Sequence, residues 1–298
     1  MKIGFIGLGN MGFPMARRLM QGGYELIVYD TNQEQLHNLA ERGAAPATSL
    51  QSLAGQASVI ILMLPDSQVV ETVVLGKNGL AGAVRDQTVI IDMSTSTPQV
   101  TKRIGASIEQ IGATFIDAPV SGGVSKAEAG SLTIMVGGPK QTCASIMPIL
   151  ETMGDTIVHT GPLGSGHTLK VLNNLLSATH FLATVEILCA GINLGLQPEN
   201  ILSVINTSTG RNLSSEYKVP NFVLNRTFNS GFSMDLMCKD IAIAVSLIND
   251  GKTPAFLPGI VSQIWNMANA KGKRKFDHTE IAKLYEEWTG NELKNSSA

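Results

Sequence analysis

Short apolar runs alternate with longer amphipathic segments along the first half of the chain. We predict a β-strand at each of seven runs, namely Ile3–Gly7, Leu26–Tyr29, Val59–Leu64, Val89–Asp92, Thr114–Ile116, Thr133–Val136 and Thr156–His159. Strands of this length separated by helical segments are typical of βα units. The pattern therefore predicts an α/β fold in which a doubly wound, mostly parallel sheet is covered by helices on both faces.

The pattern changes after Gly161-Pro-Leu-Gly164. From Ser165 to Leu194 the chain is largely apolar and contains no proline, which predicts a buried helix of about 30 residues. Further helical patterns cover residues 197–208, 235–249, 256–271 and 277–288, with few strand signals between them. We therefore expect two domains, a first at residues 1–163 and an all-α second domain at residues 164–298.

The first predicted strand leads into Gly7-x-Gly9-x-x-Gly12, and Asp30 ends the second strand. Glycines at this spacing allow a tight turn, let the backbone approach a pyrophosphate and let the helix pack closely on the strand. Asp30 can accept hydrogen bonds from both hydroxyls of an adenosine ribose, and its charge repels a 2′-phosphate. The sequence thus predicts a Rossmann-type dinucleotide-binding domain that prefers NAD over NADP.

Composition excludes several other classes of protein. The 298 residues are 44% hydrophobic and 15% charged, with a net charge of −2, which predicts an ordered core and no affinity for nucleic acid. We interpret the basic cluster Lys271–Lys275 as a solvated loop. Cys143, Cys189 and Cys238 are far apart and fit reduced core thiols. The histidines lack metal-ligand spacing, and no apolar run approaches the roughly 20 residues that span a bilayer. We expect a cytoplasmic protein without a metal or a membrane partner.

Lys170-Val-Leu-Asn-Asn174 lies in the first turns of the long predicted helix. Lys170 and Asn174 are four residues apart and therefore share a face of that helix. Oxidation of an alcohol by NAD needs a base for the hydroxyl proton, and a lysine desolvated in a closed cleft can serve. The alternative is a helix-start lysine that reaches for solvent.

Asp117-Ala-Pro-Val-Ser-Gly-Gly123 follows another strand end. Consecutive glycines after Ser121 expose backbone N–H groups that can hold an anion, and the serine adds a hydroxyl donor. The alternative is an ordinary turn rich in proline and glycine.

Four stretches together resemble the signatures of the β-hydroxyacid dehydrogenase family. They are Gly7-Leu-Gly-Asn-Met-Gly-Phe-Pro-Met-Ala16, Asp117–Gly123, Gly164-Ser-Gly-His-Thr-Leu-Lys-Val-Leu-Asn-Asn174 and Lys239-Asp240. The resemblance implies reversible hydride transfer between NAD and a small 3-hydroxyacid, such as 3-hydroxyisobutyrate or a related semialdehyde. A tartronate-semialdehyde-type reductase or another dehydrogenase of polar or dicarboxylic hydroxyacids is the alternative.

More distant readings have sequence features that oppose them. The chain is too short for the large helical domain of 6-phosphogluconate dehydrogenases. Imine reductases and non-catalytic dinucleotide-binding scaffolds of similar fold usually lack the helix lysine, whereas Lys170 is present.

The resemblance also implies roles for particular residues. Lys170 would be the catalytic acid/base, and Asn174 would orient the substrate. Ser121, Gly122 and Gly123 would hold the substrate carboxylate. The implied cofactor-binding residues are Gly7, Gly9, Asn10, Met11, Gly12, Asp30, Leu64, Pro65, Thr95, Phe232 and Lys239, with Thr95 near the nicotinamide and with Phe232 and Lys239 closing over the cofactor.

Several other polar residues receive simpler interpretations. We expect His167 near solvent at the helix start, with a proton relay to Lys170 as the alternative, and His180 and Glu186 as hydrogen-bonded polar groups of the core. Arg211 either binds a polar group at the far end of the substrate or forms a structural ion pair. The long apolar helix predicts a partner subunit, in a homodimer or homotetramer.

Overall fold

The computed structural model describes residues 1–271 and 276–295. The chain divides into two compact units, Met1–Lys170 and Val171–Ala298, and the division falls inside the long helix rather than before it. The predicted loop at Lys271–Lys275 lies, beyond its first residue, outside the described residues.

Within the described residues, the strands form one nine-stranded sheet in the first unit. They are β1 Lys2–Ile6, β2 Glu25–Tyr29, β3 Ala45–Pro46, β4 Val59–Leu62, β5 Val89–Asp92, β6 Thr114–Asp117, β7 Val120–Ser121, β8 Leu132–Gly137 and β9 Gly154–Gly161. The first six pair in the order β3-β2-β1-β4-β5-β6, and every pair in that series is parallel. Strand β8 is antiparallel to β6 and β7 and parallel to β9.

This order confirms the predicted doubly wound, mostly parallel sheet. The order reverses between β1 and β4, and ligands of such sheets bind at that point, beyond the carboxyl ends of the strands. The two-residue strands β3 and β7 were not predicted, because two residues are too few to show a periodic pattern.

Helices cover both faces of the sheet in the first unit. They are α1 Gly12–Gln21, α2 Gln33–Ala40, α3 Leu50–Ala54, α4 Ser67–Leu75, a 3₁₀ turn Leu80–Gly82, α5 Pro98–Glu109, α6 Gly123–Ala129, α7 Lys140–Ser145 and α8 Met147–Leu150. Successive residues of β4 point to opposite faces, so that Ile61 packs in one core cluster while Ile60 and Leu62 pack in the other. This two-sided burial explains why the central strands are apolar throughout.

The second unit is helical. Helix α9 (Ser165–Asn193) starts in the first unit and continues into the second. The elements that follow it are α10 Pro198–Asn206, a π-helix Ser214–Val223, α11 Met234–Asp250, α12 Phe256–Lys271, a 3₁₀ turn His278–Ile281 and α13 Ala282–Thr289. The predicted helices therefore exist, although the last one is divided by the 3₁₀ turn. The π-helix was not predicted, because Pro220 inside it interrupts an ordinary helical pattern.

Among the described residues, α9 is long and apolar enough to cross a membrane by length and composition. The expectation that no segment meets this criterion is therefore wrong. Val171, Phe181 and Val185 of α9 are fully buried in the core of the second unit. A long core helix can be as long and as apolar as a membrane span, so length and mean hydropathy alone do not distinguish the two.

Candidate active site

The glycine loop between β1 and α1 has the form that a dinucleotide needs. Gly7 has a φ of +95°, and a Cβ there would overlap the carbonyl oxygen of Met63. A Cβ at Gly12 would overlap the carbonyl oxygen of Gly7, whereas a Cβ at Gly9 would meet nothing within 4 Å. The first and third glycines are thus required by packing, and the second borders open space. Open space at this second glycine, beside the N-terminus of α1, suits the close approach of a pyrophosphate.

Asp30 is oriented by the backbone on either side of it. Its Oδ2 accepts a hydrogen bond from the Leu8 N–H at 2.5 Å, and its Oδ1 accepts one from the Asn32 N–H at 2.7 Å. A carboxylate has about four lone-pair sites, so these two bonds leave acceptors for ribose hydroxyls. Asn10 is exposed and Met11 is half-buried in the turn between Gly9 and the start of α1 at Gly12.

The next two loops at the carboxyl edge of the sheet are held together by buried hydroxyls. The Ser94 Oγ accepts a hydrogen bond from the Leu64 N–H at 2.9 Å, and the Ser67 Oγ accepts one from the Thr97 N–H at 2.7 Å. These contacts set the backbone beside Pro65 and Thr95. The family resemblance implied Leu64, Pro65 and Thr95 but gave no role to Ser67 or Ser94, because a serine in a loop has no distinctive spacing.

Asp117 caps the start of α9. Its Oδ1 accepts a hydrogen bond from the Gly164 N–H at 2.7 Å, and its Oδ2 accepts one from the His167 N–H at 2.8 Å. Burial raises the pKa of Asp117, an effect that the nearby His167 and the two backbone N–H groups partly oppose.

Lys170 lies one turn beyond His167 and is only 8% exposed. The alternative of a lysine that reaches for solvent is therefore wrong.

The expectation that His167 lies near solvent is also wrong, because its side chain is completely buried. Its Nδ1 lies 2.8 Å from the Thr101 Oγ1, and its Nε2 lies 3.1 Å from the Ser94 carbonyl oxygen. Gly166 permits this burial, since a Cβ at that position would overlap the Met135 carbonyl oxygen. The helix start consequently sits directly against β8.

The Ser121–Gly123 segment connects β7 to α6. Gly122 and Gly123 have φ values of +140° and +72°, a backbone conformation that side chains with a Cβ rarely adopt. Both glycines are exposed, and a Cβ on Gly123 would meet nothing within 4 Å. Open space next to consecutive glycines suits the close approach of an anion.

In the second unit, Asn174 pairs with Asp240, a residue quoted in the sequence signature but given no role there. The Asn174 Nδ2 donates a hydrogen bond to the Asp240 Oδ2 at 2.6 Å, and the Lys239 Nζ lies 3.3 Å from the Asp240 Oδ1. Asn174 is 8% exposed and Asp240 only 1%. Because the amide nitrogen donates to this carboxylate, the orientation of the Asn174 amide is determined. Phe232 is half-buried, with its ring edge-on to His278.

Arg211 forms an ion pair. Its Nε lies 2.5 Å from the Glu216 Oε1, and its side chain is 65% exposed. A role in substrate binding stays a prediction. His180 and Glu186 are exposed rather than in the core, and Glu186 accepts a hydrogen bond from the Tyr285 hydroxyl at 2.7 Å.

The three cysteines are buried and unpaired, as predicted. Among residues 1–271 and 276–295, no group of three or more His, Cys, Asp or Glu side chains is arranged to hold a metal ion.

Two known families match this chain, one over its first part and one over its second. Residues 2–161 match the family described as the NAD binding domain of 6-phosphogluconate dehydrogenase. Residues 164–285 match the family described as NAD-binding of NADP-dependent 3-hydroxyisobutyrate dehydrogenase.

Individual relatives match over nearly the whole chain. The 2-(hydroxymethyl)glutarate dehydrogenase of Eubacterium barkeri is 36% identical, covering 97% of this chain and 96% of the relative. The mitochondrial 3-hydroxyisobutyrate dehydrogenase of Mus musculus is 38% identical, covering 94% and 85%. A structure of Mycobacterium tuberculosis 3-hydroxyisobutyrate dehydrogenase with L-serine has a TM-score of 0.87 at 31% identity, covering 95% and 98%.

The sheet order, the glycine loop and these matches agree, and the chain therefore belongs to the β-hydroxyacid dehydrogenase family. It is an NAD-dependent 3-hydroxyacid dehydrogenase whose substrate is a small molecule.

Proposed function

We propose that the protein oxidises a small 3-hydroxyacid, with 3-hydroxyisobutyrate as the first candidate, and that Lys170 is its acid/base. The observation that carries this proposal is the burial of Lys170, which is 8% exposed on a helix start capped by Asp117. A lysine amine within hydrogen-bond reach of a substrate hydroxyl can exchange a proton with it. Lysine side chains are rarely buried without a specific reason, and a role as an active-site acid/base is one such reason.

The proposed chemistry assigns one task to each group. Bound NAD supplies the acceptor for the hydride that leaves the hydroxyl-bearing carbon. Lys170 Nζ takes the hydroxyl proton in oxidation and returns it in reduction. The Ser121 hydroxyl and the N–H groups of Gly122 and Gly123 bind the substrate carboxylate, and Asn174 orients the hydroxyl.

The cofactor contacts are also proposals. Gly7, Gly9 and Gly12, with Asn10 and Met11, surround the pyrophosphate. Asp30 binds the adenosine ribose and thereby favours NAD over NADP, since a 2′-phosphate would lie beside its charge. Leu64 and Pro65 border the path of this ribose, Thr95 lies near the nicotinamide, and Phe232 and Lys239 are the cofactor-binding residues that we propose from the second unit.

A second substrate class is a hydroxyacid with a further polar group. The ion-paired guanidinium of Arg211 is exposed and retains N–H donors beyond the one directed at Glu216. Two of the relatives support this class, since one is named for 2-(hydroxymethyl)glutarate and one structure contains L-serine.

A substrate panel tests both classes. Absorbance at 340 nm is followed with NAD and 3-hydroxyisobutyrate, L-serine, 2-(hydroxymethyl)glutarate or propan-1-ol. We expect turnover of at least one of the three acids and very little of propan-1-ol, which lacks a carboxylate. Efficient oxidation of propan-1-ol would contradict the proposed anion site, and no turnover of any of the three acids would contradict both proposed substrate classes.

We also propose a homodimer or homotetramer. Leu172, Leu176 and Ile187 are exposed along α9, and Phe256 and Ile260 are exposed on α12, with Phe256 85% accessible. Exposed apolar patches of this kind mark interfaces between subunits. Light scattering should give the mass of a dimer or larger, and Phe256→Glu should lower that mass if α12 contributes to the interface.

A cytoplasmic location is proposed from the cysteines. Cys143, Cys189 and Cys238 are buried and unpaired, as is usual for thiols in a reducing compartment. Fractionation of the producing cells with antibody detection tests this location.

A further inference from the structure

A buried polar cluster joins three elements of the first unit. His167 lies in the first turn of α9, Asp117 ends β6, and Asp92 ends β5 just before the loop that carries Thr95. The side chains of His167, Asp117 and Asp92 are inaccessible to solvent. Burial of three ionisable groups is costly unless each is hydrogen-bonded, so their arrangement calls for an explanation.

Both ring nitrogens of His167 have hydrogen-bond partners. The Nε2 lies 3.1 Å from the Ser94 carbonyl oxygen, and a carbonyl only accepts, so Nε2 carries a hydrogen. The Nδ1 lies 2.8 Å from the Thr101 Oγ1. Because the two bonds point to different elements, rotation of the imidazole breaks at least one of them.

The two carboxylates hold the parts that the ring connects. The Asp92 Oδ1 accepts a hydrogen bond from the Ser94 N–H at 3.0 Å, and its Oδ2 accepts one from the Ser96 hydroxyl at 2.9 Å. Asp117 binds the backbone at the start of α9. Each carboxylate also has an oxygen 3.8 Å from a nitrogen of the His167 ring. Loop, ring and helix start thus form one connected buried network.

We propose that His167 is a positioning residue that sets the distance between Lys170 and the Thr95 loop. This inference rests on the proposed roles of Lys170 and Thr95. Ser94, whose carbonyl oxygen accepts from the ring, immediately precedes Thr95, and Lys170 lies three residues, about 4.5 Å of helix rise, beyond His167. A displacement of about 1 Å in such a geometry can cost about 100-fold in rate.

Two amide substitutions form a matched pair that tests the bond to Ser94. The amide nitrogen of Gln in His167→Gln extends about as far as Nε2 and can donate to the Ser94 carbonyl, whereas that of His167→Asn stops near Nδ1. Hydride transfer is measured in single turnovers at 340 nm with NAD and 3-hydroxyisobutyrate. We expect the Asn variant to lose about 10- to 100-fold in rate and the Gln variant to stay within about 3-fold of wild type. KM for NAD should change by less than about 2-fold in both.

Controls separate positioning from a general loss of stability. Ile134→Val, in the buried core on β8, should lower the melting temperature without lowering the rate. If His167→Asn does not fold, His167→Leu replaces it in the comparison with His167→Gln. Equal rates for Gln and the variant that lacks the Ser94 bond would overturn the proposal.

A double-mutant cycle shows whether His167 acts through Lys170. In a Lys170→Ala background, His167→Asn should change the residual rate by less than about 2-fold, because the distance that His167 sets no longer ends at a reacting amine. A further loss of about 10-fold or more in that background refutes the positioning role alone. A near-normal rate for Lys170→Ala by itself refutes the proposed function, whatever His167 does.

Discussion

Asp117→Asn tests the cap at the start of α9, because it removes one acceptor without changing the size of the side chain. The carboxylate binds the Gly164 and His167 N–H groups with its two oxygens, at 2.7 and 2.8 Å. An asparagine has one acceptor oxygen, so its NH₂ group would face one of these buried donors.

The size of the effect follows from these contacts. A hydrogen bond to a charged group contributes about 1.5–3 kcal/mol, and a buried donor left unpaired costs a similar amount. Because asparagine is neutral, the variant no longer buries a charge, and this offsets part of the lost hydrogen-bond energy. We therefore expect Asp117→Asn to lower the free energy of unfolding by about 2 kcal/mol at pH 7.

The raised pKa of Asp117 gives this effect a pH dependence of known sign. Burial makes the folded-state pKa of Asp117 higher than its ordinary value of 3.8. Between those two pKa values the folded state binds more protons than the unfolded state, so wild-type stability falls as the pH rises through that window. Asparagine does not titrate, and the loss caused by Asp117→Asn should therefore be larger at pH 4 than at pH 7.

Urea denaturation at several pH values between 4 and 7 measures the free energy of unfolding and its dependence on pH. Asp155→Asn, on the exposed strand β9, serves as the control and should change stability by less than about 0.5 kcal/mol. A loss from Asp117→Asn that is the same at pH 4 and pH 7, or that grows with pH, would refute the reasoning about burial.

Four further predictions concern the proposed site. Lys170→Ala should lower kcat by about 10²- to 10⁴-fold while the Kd for NAD, measured by fluorescence titration, stays near wild type. Asp30→Ser with Thr31→Arg should raise kcat/KM with NADP relative to kcat/KM with NAD. A wild-type enzyme that prefers NADP would contradict the proposal that Asp30 binds the adenosine ribose. Gly123→Val should raise the KM for substrate far more than that for NAD, because a β-branched side chain is strained at a φ of +72°. Arg211→Met should lower kcat/KM selectively for 2-(hydroxymethyl)glutarate, and equal losses with 3-hydroxyisobutyrate leave Arg211 as a structural residue.

The local pattern was sufficient for the longer strands and helices and for the cofactor loop, but not for β3, β7 or the π-helix. Strands β1, β2, β4 and β5 and the long helix α9 each show a period or an apolar run that depends on a few neighbouring residues. The spacing of Gly7, Gly9 and Gly12 predicted their packing, because a turn of this kind is determined by backbone geometry within a dozen residues.

Burial of the polar residues was decided by tertiary structure. His167 was expected near solvent, but Gly166 lets the start of α9 approach β8. Asp117, far away in the sequence, accepts a hydrogen bond from the backbone N–H of His167. His180 and Glu186, in contrast, lie on the exposed side of α9 although their neighbours along the sequence are apolar. A helix that is apolar on most sides does not reveal from its own sequence which side another element will cover.

The partner of a site residue was equally hidden in the sequence. Asn174 shares a helix face with Lys170, which the spacing of four residues predicted, but its hydrogen bond to Asp240 joins helices α9 and α11. Local spacing determined which residue types this protein places at the ends of its strands and helices. Only the packing of distant segments decided which of those side chains are buried and which groups orient them, because burial and hydrogen bonding depend on neighbours in space.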